Sequence, residues 1–252
     1  MLIAVALGGC QTTPMAGITG ALGGKSSAKA AEADPRQQAE LWGDRYRSNP
    51  KDAQAALRYA QALRATGQRA QAVAMLEQAT IHNPSDKALM AAYGRALADN
   101  GNSQKAFDTL SRAHTPDNPD WRILSVQGTT LDQLGRHDDA RRYYASALKI
   151  APEEPSVLSN LGMSYVLTKD LAKAEATLRR ADAGRGADSR VRQNLALVVG
   201  LQGRFGEAES IVSADLPPDE AAANVAYLKE MLNRKDRPRI GARDPMDAQG
   251  RS

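Results

Sequence analysis

The chain has 252 residues and a formal net charge of +4, yet its 33 lysines and arginines are interleaved with 29 acids along the whole length. That interleaving argues against a nucleic-acid-binding surface, which gathers its basic residues into one patch. Aromatic residues make up 4% of the chain and there is one cysteine, which excludes an internal disulfide and suits thin, closely packed helices better than a deep globular core or a β-sandwich.

Residues 1–10, MLIAVALGGC, form an apolar run that ends in that cysteine. A hydrocarbon core about 30 Å thick takes about 20 helical residues to cross, so the run reads as a processing signal and not as a membrane span. Leu7, Gly8, Gly9 and Cys10 resemble the lipobox of bacterial lipoproteins. The resemblance implies cleavage before Cys10, diacylation of its thiol and acylation of the new amino terminus. No charged segment precedes Leu2, so residues 1–9 read as a truncated signal with Met1 an internal start. Each buried methylene stabilises membrane attachment by about 0.8 kcal/mol, and several acyl chains together make it essentially permanent. Gln11 stands where aspartate would signal inner-membrane retention, which favours the outer membrane.

Residues 10–34 are rich in Gly, Ala, Ser and Thr and read as a flexible tether. From 35 to 50 the pattern turns helical, with Leu41, Trp42, Arg45 and Tyr46 on neighbouring turns, and predicts a capping half-repeat. A unit of 34 residues then recurs in five copies, 53–86, 87–120, 121–154, 155–188 and 189–216. Its eighth residue is Ala60, Gly94, Gly128, Gly162 and Ala196, and its twentieth is Ala72, Ala106, Ala140, Ala174 and Ala208. Its fifteenth is Gly67, Gly101, Gly135, Lys169 and Gly203, and its twenty-fourth is Leu76, Leu110, Tyr144, Leu178 and Val212. Two amphipathic helices joined by a turn, with small residues where they touch, account for all four columns. The pattern breaks at Asp215 and Pro217-Pro218, after which 217–235 predicts a closing cap helix and 236–252 a disordered tail.

This unit resembles the tetratricopeptide repeat, whose period is 34. The resemblance implies an all-α solenoid, a right-handed superhelix of antiparallel helix pairs whose first helices line a concave peptide-binding groove. On that scheme the inward positions include Arg58 and Gln61 in the first copy, Arg95 in the second, Arg122 and Thr129 in the third, Asn160 and Met163 in the fourth, and Arg190 and Asn194 in the fifth. The expected groove is polar and basic. Asn160 and Asn194 occupy the same position of adjacent copies, where an amide can both donate to and accept from a peptide backbone, and the arginines can pair with carboxylates. The set only partly resembles the carboxylate clamp of chaperone-binding repeats, whose lysines are missing.

Motifs of catalysis are missing too: the chain has no GxSxG, no HExxH, no phosphate-binding loop and no cysteine pair. His82, His114 and His137 fall in different turns and read as exposed loop residues. The expectation is a non-enzymatic protein with no cofactor, no metal, no small-molecule substrate and no nucleic-acid partner.

Two stretches, QNLALVVGLQGRFGEAESIV at 193–212 and DLPPDEAAANVAYLKEML at 215–232, resemble the TadD family, and RYAQALRATGQRAQAVAMLEQA at 58–79 has the same character. Those proteins are repeat-containing lipoproteins of the tight-adherence (Tad/Flp) pilus assembly system. The resemblance implies an assembly factor at the periplasmic face of the outer membrane of a Gram-negative bacterium, with the secretin or another assembly component as partner. The alternative is a repeat adaptor lipoprotein for periplasmic enzymes acting on peptidoglycan.

Overall fold

A computed structural model of the chain describes residues 34–115 and 117–235; Cys10, the rest of the signal and tether through residue 33, and the tail 236–252 lie outside the described residues. Twelve helices follow one another among the described residues: α1 (Pro35–Ser48), α2 (Ala53–Ala65), α3 (Arg69–His82), α4 (Lys87–Asp99), α5 (Ser103–Ala113), α6 (Trp121–Gln133), α7 (His137–Ile150), α8 (Pro155–Leu167), α9 (Leu171–Ala183), α10 (Ser189–Leu201), α11 (Phe205–Val212) and α12 (Pro218–Lys235). The first helix of each copy begins at Ala53, Lys87, Trp121, Pro155 or Ser189.

Those starts have a chemical cause one residue earlier. Asp52, Asp86, Asp120 and Asp188 each stand as the N-cap, and each carboxylate accepts from a backbone N–H of the first turn. Removing such a cap costs about 0.5–2 kcal/mol. The fourth copy has Glu154 there without a side-chain capping bond, and opens instead on Pro155, whose fixed φ suits the first helical position.

Each first helix ends in a turn that only a left-handed residue can close. Gly67, Gly101, Gly135 and Gly203 have φ of 75°, 82°, 75° and 84°. The N–H of the following residue reaches back to the last turn, as from Arg136 to the Leu131 carbonyl at 2.8 Å, which satisfies a carbonyl the helix would otherwise leave open. In the fourth copy Lys169 adopts the same conformation, with φ 61°.

The two helices of a copy meet at the eighth and twenty-fourth positions. A Cβ added to Gly94, Gly128 or Gly162 would lie 2.6 Å from Leu110 Cγ, 2.5 Å from Tyr144 Cε1 or 2.6 Å from Leu178 Cγ, so these backbones have room for hydrogen alone. The alanines of the twentieth column are fully buried beside this contact.

Along the stack, each first helix touches the next, α2 to α4, α4 to α6, α6 to α8 and α8 to α10, whereas among the described residues the second helices α3, α5, α7 and α9 do not come together. The first helices therefore form the inner, concave side. At one end α1 lies on α2, with Tyr46 and Tyr59 ring centroids 6.2 Å apart. At the other, α12 buries Ala221 and Val225 and sets Leu228 against Gly200 of α10. The fold is an all-α tetratricopeptide-repeat solenoid. Among the described residues no helix is long and apolar enough to cross a membrane.

Lys169 holds a conformation that costs an L-residue about 1–2 kcal/mol. Lys169→Gly is expected to raise the unfolding free energy by about 1 kcal/mol, while Gly135→Ala lowers it by a similar amount. Urea titration followed by circular dichroism checks both, and equal midpoints for Lys169→Gly and the parent would remove the strain argument.

Candidate peptide-binding groove

The inner face is built from side chains that the helix–helix contacts leave unused. Arg58 and Gln61 are exposed on α2. Arg95 on α4 is half-buried; its Nε is buried with no hydrogen-bond partner, and it has no ion pair among the described residues. Burial holds the Arg95 guanidinium below the usual arginine range, and the positive charges of Arg64 and Arg122 add to the effect. Arg122 is exposed and stacks over the ring of Trp121 at 4.4 Å from its centroid. Arg190 is exposed at the start of α10.

The two asparagines are already partly engaged. Asn160 Nδ2 donates to Ser125 Oγ at 3.1 Å, and Asn194 Nδ2 donates to Ser159 Oγ at 2.9 Å. Each amide thus ties its first helix to the one before it, and keeps its carbonyl oxygen and second N–H for other contacts.

Thr129, Asn160 and Met163 come together around a hollow of about 260 Å³ between α6 and α8, which Tyr144, Ser164 and Leu167 also line. Beneath it lies Asp132, a residue the sequence did not single out. Its side chain is 8% exposed and sits 2.8 Å from His137 Nδ1. The Tyr144 hydroxyl donates to it at 3.0 Å and the Ser164 hydroxyl at 2.9 Å. One carboxylate thus joins both helices of the third copy to the first helix of the fourth. Burial, reinforced by the charge of Asp132, pushes the Tyr144 phenol well above its ordinary range. The available signal was the acid itself, since the same position in the other copies is Arg64, Ala98, Val166 and Gly200.

Two expectations need correction. His137 and His114 are not exposed loop residues: His137 opens α7 with its ring turned onto Asp132, and His114 is half-buried with Nε2 3.2 Å from Gln127 Oε1. His82, at the end of α3, is exposed. Nor is the inner face polar and basic throughout. Beyond α6 charge thins and large apolar groups appear: α8 carries no charged side chain, and a second hollow of about 350 Å³ between α10 and α12 is lined by Leu197, Val225, Leu228, Tyr227 and Met231 beside Gln193 and Asn224. Among the described residues no three His, Cys, Asp or Glu side chains group as metal ligands.

Comparison with known proteins agrees with this architecture. The family model described as "Tetratricopeptide repeat" matches residues 133–198, and that of "Anaphase-promoting complex, cyclosome, subunit 3" matches residues 36–113. No curated protein matches. A thermophilic tetratricopeptide-repeat protein from Thermus thermophilus superposes with a TM-score of 0.62 at 23% identity, over 70% of this chain and 98% of that one. PilW, a type IV pilus biogenesis factor, gives 0.64 at 20% identity, over 77% and 91%. A chain of the Cut9–Hcn1 hetero-tetramer of the anaphase-promoting complex gives 0.63 at 15% identity, over 80% of this chain, which spans 40% of the length of that one. The chain is similar to these repeat proteins in fold.

Asp132→Ala removes the acceptor shared by the Tyr144 and Ser164 hydroxyls, leaving Tyr144 only its longer bond to Thr129 Oγ1 at 3.3 Å, and is expected to destabilise the solenoid by about 1–3 kcal/mol. In the Asp132→Ala background, Tyr144→Phe should add little. Chemical denaturation of the four proteins of this cycle measures the coupling, and fully additive effects would show that the two groups do not act together.

Proposed function

We propose that the protein is a lipid-anchored adaptor of Tad/Flp pilus assembly, held at the periplasmic face of the outer membrane through Cys10, and that its inner face holds a segment of an assembly partner such as the secretin. The observation that supports capture of a protein segment is the continuous row of first helices. Their inward side chains are left over from packing, and two asparagine carbonyls along them, of Asn160 and Asn194, stay open. The pilus assignment rests on the stretches 193–212 and 215–232, which fall on α10, α11 and α12, and the anchor rests on the lipobox. The likeness to PilW, at 20% identity, concerns the fold; it is compatible with a role in pilus biogenesis and does not carry it.

A deletion strain tests the proposal. Loss of secretin multimers and of surface pili is expected; intact pili with altered peptidoglycan hydrolase activity would overturn it in favour of an adaptor for cell-envelope enzymes. Cys10→Ala is expected to move the protein from the membrane to the soluble fraction. Retention on carbonate-washed membranes would sink the anchor.

A further inference from the structure

The inner face is divided along its length. In the first three copies its prominent groups are cations: Arg58 is exposed, Arg122 is exposed, and Arg95 is half-buried without an ion pair among the described residues. Arg64 also lies here but is matched, its Nε donating to Asp99 at 2.5 Å. From α8 onward the prominent groups are apolar: Leu167 is 55% exposed, Tyr227 65% and Met231 52%, each beside a hollow of the inner face. Arg190, at the first turn of α10, is separated from Leu197 by seven residues, about 10 Å along the helix.

Neither half is at its energetic optimum in the free protein. A guanidinium partly withdrawn from water without a counter-ion weakens the folded state, and exposed large apolar side chains around a concavity mark a contact site. We infer that the inner face takes a protein segment with acidic side chains at one end and large apolar side chains at the other. The carboxylates pair with Arg95 and Arg122, and the apolar side chains enter the hollows of α8 and of the α10–α12 junction. Charge complementarity selects this occupant. The chain's own residues 236–252 offer four arginines, three scattered aspartates and only Ile240 and Met246 as large apolar groups, which is the wrong chemistry. The inference rests on the reading that this face holds a partner segment, and it names the chemistry of that segment.

The test is a fluorescence-anisotropy titration of the purified full chain with three labelled peptides: one with glutamates at one end and Leu and Met at the other, one with Lys replacing Glu, and one with Ser replacing Leu and Met. The first is expected to bind roughly tenfold more tightly than either control, more weakly as salt rises. Arg95→Met is expected to lose about the same factor while its melting temperature stays level or rises, because a desolvated cation has been removed. Met231→Glu should lose affinity with α-helical content unchanged. Equal binding of the Lys-containing peptide would overturn the inference, as would an Arg95→Met variant that melts earlier and binds normally. A parent chain that is dimeric by sedimentation, and that Met231→Glu makes monomeric without affecting peptide affinity, would assign the apolar half to a second copy instead. Failure here combined with loss of pili on deletion removes only the proposed chemistry; success here with intact pili removes only the pilus assignment.

Discussion

The contact on which the structure depends is the approach of two helix backbones at the eighth position of each copy. Leu110, Tyr144 and Leu178 cross Gly94, Gly128 and Gly162 so closely that a methyl group would collide with them. Where the column carries Ala60 or Ala196, the facing residue is Leu76 or Val212, packed in the same apolar cluster. At this distance the first helix is clamped by its own partner on one side and by neighbouring first helices on the other. The remaining side, facing inward, keeps only cross-copy contacts such as those of Asn160, Asn194 and Asp132. A solenoid's stability is a sum of such local units and their junctions, so exposed inward side chains such as Arg58 and Gln61 can vary from copy to copy without loosening the fold.

This is also why the architecture was legible in the sequence. The helix pairs, the small columns and the glycine turns obey constraints that are local and identical in every copy, so each appears as a column at the same spacing. Lys169 is the exception among the turn glycines, and it holds the same left-handed conformation with φ 61°. The capping aspartates were equally periodic and were still missed, because Asp86, Asp120 and Asp188 fall on the last position of one copy while serving the helix of the next.

The site was less legible, because its defining contacts join copies instead of recurring within them. Asn160 reaches Ser125 and Asn194 reaches Ser159 across 35 positions, and Ser164 reaches Asp132 across 32. The asparagines share the sixth position of adjacent copies and the serines the fifth, but the columns do not say that the amide of one copy reaches back to the serine of the copy before: each reads as a solvated groove residue. His137 misled for a related reason. Its neighbours Asp138 and Asp139 belong to the solvent-facing first turn of α7, but the helix start turns the imidazole toward Asp132.

The last helix brings these strands together. A helix that only closed a solenoid would bury one face and present a polar other face to water. α12 buries Ala221 and Val225 as a cap does, yet leaves Tyr227 and Met231 largely exposed on the side where they share a hollow with Leu197 of α10. Cap and groove are therefore two faces of one element. A change that loosens α12 against Gly200 must also reshape the apolar end of the inner face, because Leu228 contributes to both. Stability at this end and the proposed recognition by it are coupled through a single helix.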